Sequence, residues 1–438
     1  MEIFIGLAMF VALLALLAIG VPVAFALFAV GMGTLIALSG EISSLGLVAT
    51  TVWSSVTSFT LTAVPLFILM GAIISASGMG SRLYGALATL THGMPGGLLV
   101  ATTLACSVMA AVSGSSVATA AAIGRFAVNE MRRFGYPDSH ACGAVAAGGT
   151  LGILIPPSIP MIVYGVIAEQ SIGKLFIAGI IPGLLMVGLF AAYQVWLAGG
   201  KRFSAPAGAK AEKVTAADRI RALKDLIPAA ALIWIILGSI YQGIATPTEA
   251  AALGTLSSLI LSGLIYRELT WGKFLKILGE AARSSVMVLL IIAAAMLFGY
   301  AMTTTNVAPT LTRTVAELPV SPWLVLVTIM LLLVFLGCFM ETLSIIVITA
   351  PIVVPIIKAF GWDLVWFGVI LTINMEMALI TPPVGLNLFV VQAVVKGVPL
   401  EKIVAGTLPY VLIMTGALAL IAVCPDIALW LTKVSAAR

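Results

Sequence analysis

Charge is the scarcest property of this chain. Only 9% of its 438 residues are Asp, Glu, Lys or Arg, while 61% are hydrophobic; soluble domains carry roughly a quarter charged residues. So few charges cannot cover a globule in water, which excludes an ordinary soluble enzyme and makes lipid the main solvent. Histidine is nearly absent, with His92 and His140 alone, so zinc and haem chemistry have little to build on. The four cysteines, Cys106, Cys142, Cys338 and Cys424, lie far apart without a CxxC spacing and read as buried structural thiols. No G-x-x-x-x-G-K-[ST] run supplies an ATP site. The +5 net charge comes without a basic cluster interleaved with aromatics, so it reads as membrane topology and not as nucleic-acid binding. Residues Met1 to Gly20 lack a basic n-region and an A-x-A cleavage site, and are expected to be a retained first span.

What the chain has in abundance is apolar sequence in lengths of about 20 residues, enough to cross a bilayer as helix. Such stretches fall near 3–20, 23–40, 60–79, 139–167, 176–198, 226–243, 249–266, 284–303, 364–395 and 403–423. Two more, near 98–128 and 323–357, are interrupted at Ser113-Gly114-Ser115-Ser116 and between Gly337 and Thr342. Non-helical backbone at membrane depth must find partners inside the protein, so both are expected to be re-entrant hairpins. The expected fold is therefore an all-α polytopic membrane protein of about ten spans plus two hairpins.

Basic residues orient that layout. With the first hairpin open to the cytoplasm, Arg82, Arg125, Arg132 and Arg133 face inward. So do the basic residues of the loop up to Asp225, then Arg267, Lys273, Lys276, Arg283, Lys396 and Lys402. Lys174, Arg313, Lys358, Lys433 and Arg438 remain outside. The positive-inside rule favours this arrangement, with both termini periplasmic, over the alternative of twelve complete spans, which fits the charge bias less well. The polar stretch 200–225 reads as a cytoplasmic linker between residues 1–199 and 226–438.

The two halves share a pattern. Gly152-Ile153-Leu154-Ile155-Pro156-Pro157-Ser158 and Ala378-Leu379-Ile380-Thr381-Pro382-Pro383-Val384 align at one shift, which also lays Ser115-Ser116 on Glu341-Thr342. With one hairpin opening inward and the other outward, the pairing implies two repeats of inverted topology, an arrangement of secondary transporters. Each Pro-Pro pair removes amide donors and frees carbonyls about a turn earlier. The carbonyl-rich end of a broken helix suits a cation and the amide end suits an anion.

Glu341 and Glu376 are the acids most deeply set in apolar sequence. A carboxylate in the bilayer costs about 2.5–3.5 kcal/mol on insertion scales, so each needs a partner or a task. Glu341 can help coordinate a cation or cap a hairpin helix; Glu376 can carry protons or hold hairpin backbone. Arg125 can approach a substrate carboxylate or snorkel at the cytoplasmic interface. Thr246-Pro247-Thr248-Glu249 has the spacing of a capping box, with Thr246 as N-cap.

At these residues the sequence resembles the large membrane subunit, DctM-like, of tripartite ATP-independent periplasmic (TRAP) transporters. The resemblance rests on the Ser113–Gly124 run, the segments 149–158 and 246–252, Met340-Glu341-Thr342, and Thr381–Phe389. It covers essentially the whole chain. It implies a sodium-driven importer of a small organic anion with an elevator mechanism, in which the hairpins and broken helices 139–167 and 364–395 form a transport domain. It also implies a periplasmic substrate-binding protein and a small four-span membrane subunit as partners, in the bacterial cytoplasmic membrane. Carried over by position, a first sodium site comprises Ser113, Ser115, Gly149, Thr150 and carbonyls before Pro156. A second comprises Gly337, Thr342, Met375, Ala378 and Thr381, with Glu341 nearby. Substrate-cavity candidates are Ser116, Pro156, Pro157, Glu341, Pro382, Pro383 and Asn387. Two other readings are a self-sufficient sodium:anion symporter and an intramembrane protease with Ser115 as nucleophile. The last lacks any His or Lys placed to activate Ser115.

Overall fold

The computed structural model describes residues 2–39, 43–199 and 214–436, and among them every regular element is helical. Lys201, Arg202, Lys210 and Lys213 of the expected linker, and Arg438, lie outside the described residues. The first half begins with α1 (Glu2–Ala18), α2 (Val23–Ser39), α3 (Ser43–Val56), α4 (Ala63–Ala76) and α5 (Met79–Leu90). It continues with α6 (Gly97–Ser113), α7 (Ser116–Arg133), α8 (Asp138–Leu154), α9 (Ile159–Ile167) and α10 (Ile172–Gly199). The second half opens with α11 (Ala216–Ile233), α12 (Ser239–Tyr241), α13 (Pro247–Ile260), α14 (Trp271–Thr304) and α15 (Val307–Ala316). It closes with α16 (Pro322–Gly337), α17 (Thr342–Ala359), α18 (Leu364–Ala378), α19 (Leu386–Val394), α20 (Leu400–Val423) and α21 (Asp426–Ala436).

Among the described residues, eight helices or continuous helix runs are long and apolar enough to cross a membrane. The chain is a multi-pass, all-helical membrane protein. Four helices, α3, α5, α15 and α21, were not anticipated from hydropathy, because they are short and mix polar with apolar positions. The span expected from 284 begins at Trp271. Cys424 is exposed at the end of α20, unlike the other three cysteines, which are buried as expected.

The elements recur along the chain. Helices α7 and α17 are offset by 226 residues at both ends, Ser116 to Thr342 and Arg133 to Ala359. Helices α8 and α18 start at the same offset, Asp138 and Leu364. Contacts recur with them. Hairpin arm α7 packs on α19 of the other half, as arm α17 packs on α9; α8 lies against α20, as α18 lies against α10; and α8 touches α18 directly. Each half thus completes the other's packing around the two breaks.

The capping box at α13 has both its reciprocal bonds. Thr246 Oγ1 accepts from the Glu249 amide at 3.3 Å, and Glu249 Oε2 accepts from the Thr246 amide at 2.8 Å. Thr246→Ala is expected to cost about 1 kcal/mol of stability, seen as a lower melting temperature of the purified protein. An unchanged melting temperature would assign the bonds no net weight.

Candidate functional site

The first hairpin turns at Gly114, whose φ of +61° lies in the left-handed region that favours glycine. Ser115 follows in extended conformation and caps α7, its hydroxyl accepting from the Ala118 amide at 3.3 Å. Ser113 Oγ lies 2.8 Å from Thr119 Oγ1 inside the hairpin. The tip rests on the first break: a Cβ at Gly152 would stand 2.6 Å from the Ser115 carbonyl oxygen. Only a residue without a side chain lets the two backbones meet there. Beyond it α8 ends at Leu154, a cis Pro156-Pro157 pair follows, and Ser158 caps α9 by accepting from the Met161 amide at 3.4 Å.

The second half builds a related arrangement. Helix α18 ends at Ala378, a cis Pro382-Pro383 pair follows, and α19 starts after Gly385. The Gly385 amide donates to the Cys338 carbonyl at 3.4 Å, tying the second break to the second hairpin tip. Glu341 has extended backbone before α17, and its side chain makes no capping bond.

Between the tips, α4 and α14 lies a cavity of about 540 Å³. Four helices start at its wall: α7 at Ser116, α9 at Ile159, α17 at Thr342 and α19 at Leu386. Unsatisfied amides and the helix dipole make such ends partially positive. The lining holds two carboxylates, Glu280 and Glu341, and no basic side chain. An anion here therefore depends on helix ends, hydroxyls and any accompanying cation for its positive surroundings.

Of the residues expected at the two cation sites, the structure sets Gly149 against the first hairpin arm and Gly337 against Ala378. Ser113 and Ser115 line the cavity, while Gly149 and Thr150 lie buried behind them on α8; Thr150 Oγ1 donates to the Ala147 carbonyl at 2.6 Å. Thr342 lines the cavity, with Gly337, Met375 and Ala378 buried, and Thr381 Oγ1 donates to the Met377 carbonyl at 2.6 Å. The oxygens of these groups are hydroxyls and carbonyls, the hard donors suited to an alkali cation.

The cavity candidates divide. Ser116 and Glu341 line it. Asn387 does not; it is fully buried, and its side-chain nitrogen donates to Ser116 Oγ at 2.6 Å, pinning α19 to the first hairpin. Pro156 and Pro157 are buried behind the wall, whereas Pro382 and Pro383 are exposed, so none of the four prolines lines this cavity. Arg125 is exposed on α7 and is also absent from the lining. Sequence reasoning missed Ser75 on α4 and Glu280 and Ser284 on α14, which do line it. The signal for Glu280 is an acid on the N-terminal continuation of the apolar run 284–303, in the turns by which α14 exceeds that run.

A helical, multi-pass membrane protein with two helix breaks and two hairpin tips around one cavity has the architecture of a membrane carrier. The sequence comparisons specify which. Residues 10–427 match the family described as the tripartite ATP-independent periplasmic transporter, DctM component, and the chain belongs to that family. It is 41% identical over 377 residues to the C4-dicarboxylate TRAP transporter large permease protein DctM of Pseudomonas aeruginosa, covering 85% of this chain and 86% of that one. It is 34% identical to the 2,3-diketo-L-gulonate TRAP transporter large permease protein YiaN of Escherichia coli, covering 94% and 95%. It is 38% identical to the isethionate TRAP transporter permease protein DctMQ of Oleidesulfovibrio alaskensis, covering 94% of this chain and 64% of that longer one. Among solved structures, the Alcanivorax borkumensis YdaH transporter shares the fold, with a TM-score of 0.59 at 16% identity, over 90% of each chain. The chain is a transporter permease subunit and not an enzyme.

Proposed function

We propose that this permease imports a small organic anion, of the dicarboxylate or sugar-acid type, across the bacterial cytoplasmic membrane on an inward sodium gradient. The observation that carries the reading is the cavity, where four helix starts and both hairpin tips meet two carboxylates and no basic residue. Like charges disfavour an anion in such a place. Helix ends offset part of that, each acting as roughly half a positive charge, and cations bound at the tips supply the rest. Substrate binding then depends on sodium for an electrostatic reason.

In this reading the first sodium binds at Ser113, Ser115, Gly149 and Thr150, and the second at Gly337, Thr342, Met375, Ala378 and Thr381. The hairpins and broken helices move as one body against a scaffold containing α4 and α14, in an elevator motion between two inverted repeats. Both termini face the periplasm. Substrate arrives on a periplasmic binding protein, and a small four-span subunit binds the scaffold; the longer DctMQ relative supports a second membrane part joined to the large one.

Alanine at Ser115 or Thr342 is expected to raise the sodium concentration for half-maximal uptake about tenfold, the equivalent of losing one cation ligand worth about 1.4 kcal/mol. Sodium titration of uptake into proteoliposomes measures it. Unchanged titrations in both variants would remove the two hydroxyls from the sites.

A further inference from the structure

Glu376 is the one charged side chain buried among the described residues, with 1% of its surface exposed. It stands in the last turn of α18, where its Oε1 accepts from the Ile153 amide of α8 at 2.9 Å. The Thr150 side chain and the Leu154 amide also lie within hydrogen-bonding reach of the carboxylate. At the 226-residue offset of the two halves, Glu376 corresponds to Thr150. The carboxylate thus sits where the two broken helices touch, against the residue that occupies its own place in the other half.

No ion pair among the described residues includes Glu376. Amides fill part of its hydrogen-bonding capacity but carry no countercharge, and a carboxylate this deeply buried stays ionised only where a cation compensates it. Its neighbours supply the reason to keep it. Thr150 belongs to the first candidate cation group, and Met375 and Ala378, within two residues of Glu376, belong to the second. Every other buried oxygen in those two groups is a neutral hydroxyl or carbonyl, and Glu341 is exposed on the cavity wall.

We propose that Glu376 is the shared counter-charge of both cation sites, a fixed negative charge at the contact of the two breaks that holds both coupling ions. The inference rests on the sodium-coupled reading above and adds to it the residue that sets affinity at both sites together. A carboxylate that only tethers the Ile153 amide is the competing role, and two variants separate the roles. Glu376→Gln keeps a carbonyl oxygen at the same reach and removes the charge. Glu376→Asp keeps the charge and withdraws the acceptor by one methylene.

The experiment is sodium titration of substrate uptake in proteoliposomes holding the permease, its small subunit and loaded binding protein. As the shared counter-charge, Glu376 predicts a rise in half-saturating sodium of about tenfold or more for Gln, consistent with one charge at short range in a partly dry interior. It predicts a rise within about threefold for Asp, on the same argument. The reverse order, Gln near wild type and Asp strongly shifted, would make Glu376 an acceptor only and overturn the proposal. If Glu376→Gln fails to fold, the Asp titration decides alone, because a tenfold shift there contradicts a role that needs charge and tolerates distance. Failure of the underlying sodium reading appears differently, as wild-type uptake that ignores sodium.

Discussion

Replacing Gly152 with alanine is expected to cut uptake at least tenfold, a cost of about 1.4 kcal/mol or more at the first hairpin. The new methyl would lie 2.6 Å from the Ser115 carbonyl oxygen, 2.7 Å from its carbon and 2.8 Å from the Ser116 nitrogen. All three are backbone atoms, so no side chain can swing aside. Overpacking of a closed contact typically costs about 1–3 kcal/mol, and relief here requires the tip to lift off the break. That displacement separates Ser113 and Ser115 from Gly149 and Thr150. The expected signature is therefore a higher half-saturating sodium concentration as well as a lower rate. Gly188 on α10 has no atom within 4 Å of an added Cβ, and alanine there is expected to leave uptake near wild type. Equal uptake by the two variants would mean that the tip and the break need not touch for transport.

Much of this architecture was legible before the fold was known, and the reasons are physical. Apolar runs of bilayer length declare helices, and Pro156-Pro157 and Pro382-Pro383 declare that two of them break, since a proline pair cannot extend a helix. The Ser113–Ser116 interruption marks a turn for the same reason: small and hydroxylated residues suit backbone that must be satisfied inside the protein. Thr246 and Glu249 announced a helix start through side-chain chemistry confined to four residues.

What escaped was set by long-range packing. The bond from Asn387 to Ser116 joins residues 271 apart, and that from Ile153 to Glu376 joins residues 223 apart. No local pattern encodes either, so Asn387 was placed in the cavity when it is a buried pin behind it. The unequal exposure of the two proline pairs is of the same kind, because both have the same local sequence character but different neighbours. Glu280 was missed for another reason. A hydropathy window sees the apolar centre of a helix and not the polar-edged turns of α14 that face the hairpin tips.

The second large effect concerns what the permease needs in order to work. The cavity offers an anion no basic side chain, so uptake without sodium should fall to the background of empty liposomes. A large subunit matching the DctM component over residues 10–427 should likewise be silent without its small membrane subunit and a ligand-loaded binding protein. These three dependences are expected to be close to all-or-none. A tenfold loss corresponds to only about 1.4 kcal/mol, whereas under the proposed coupling each omission would withdraw a whole driving force or a whole delivery route.

The most direct test is uptake of a labelled organic acid into proteoliposomes, with the inward sodium gradient, the small subunit and the loaded binding protein each omitted in turn. Accumulation is expected only when all three are present. Accumulation by this chain without the binding protein, or at full rate without sodium, would contradict that expectation.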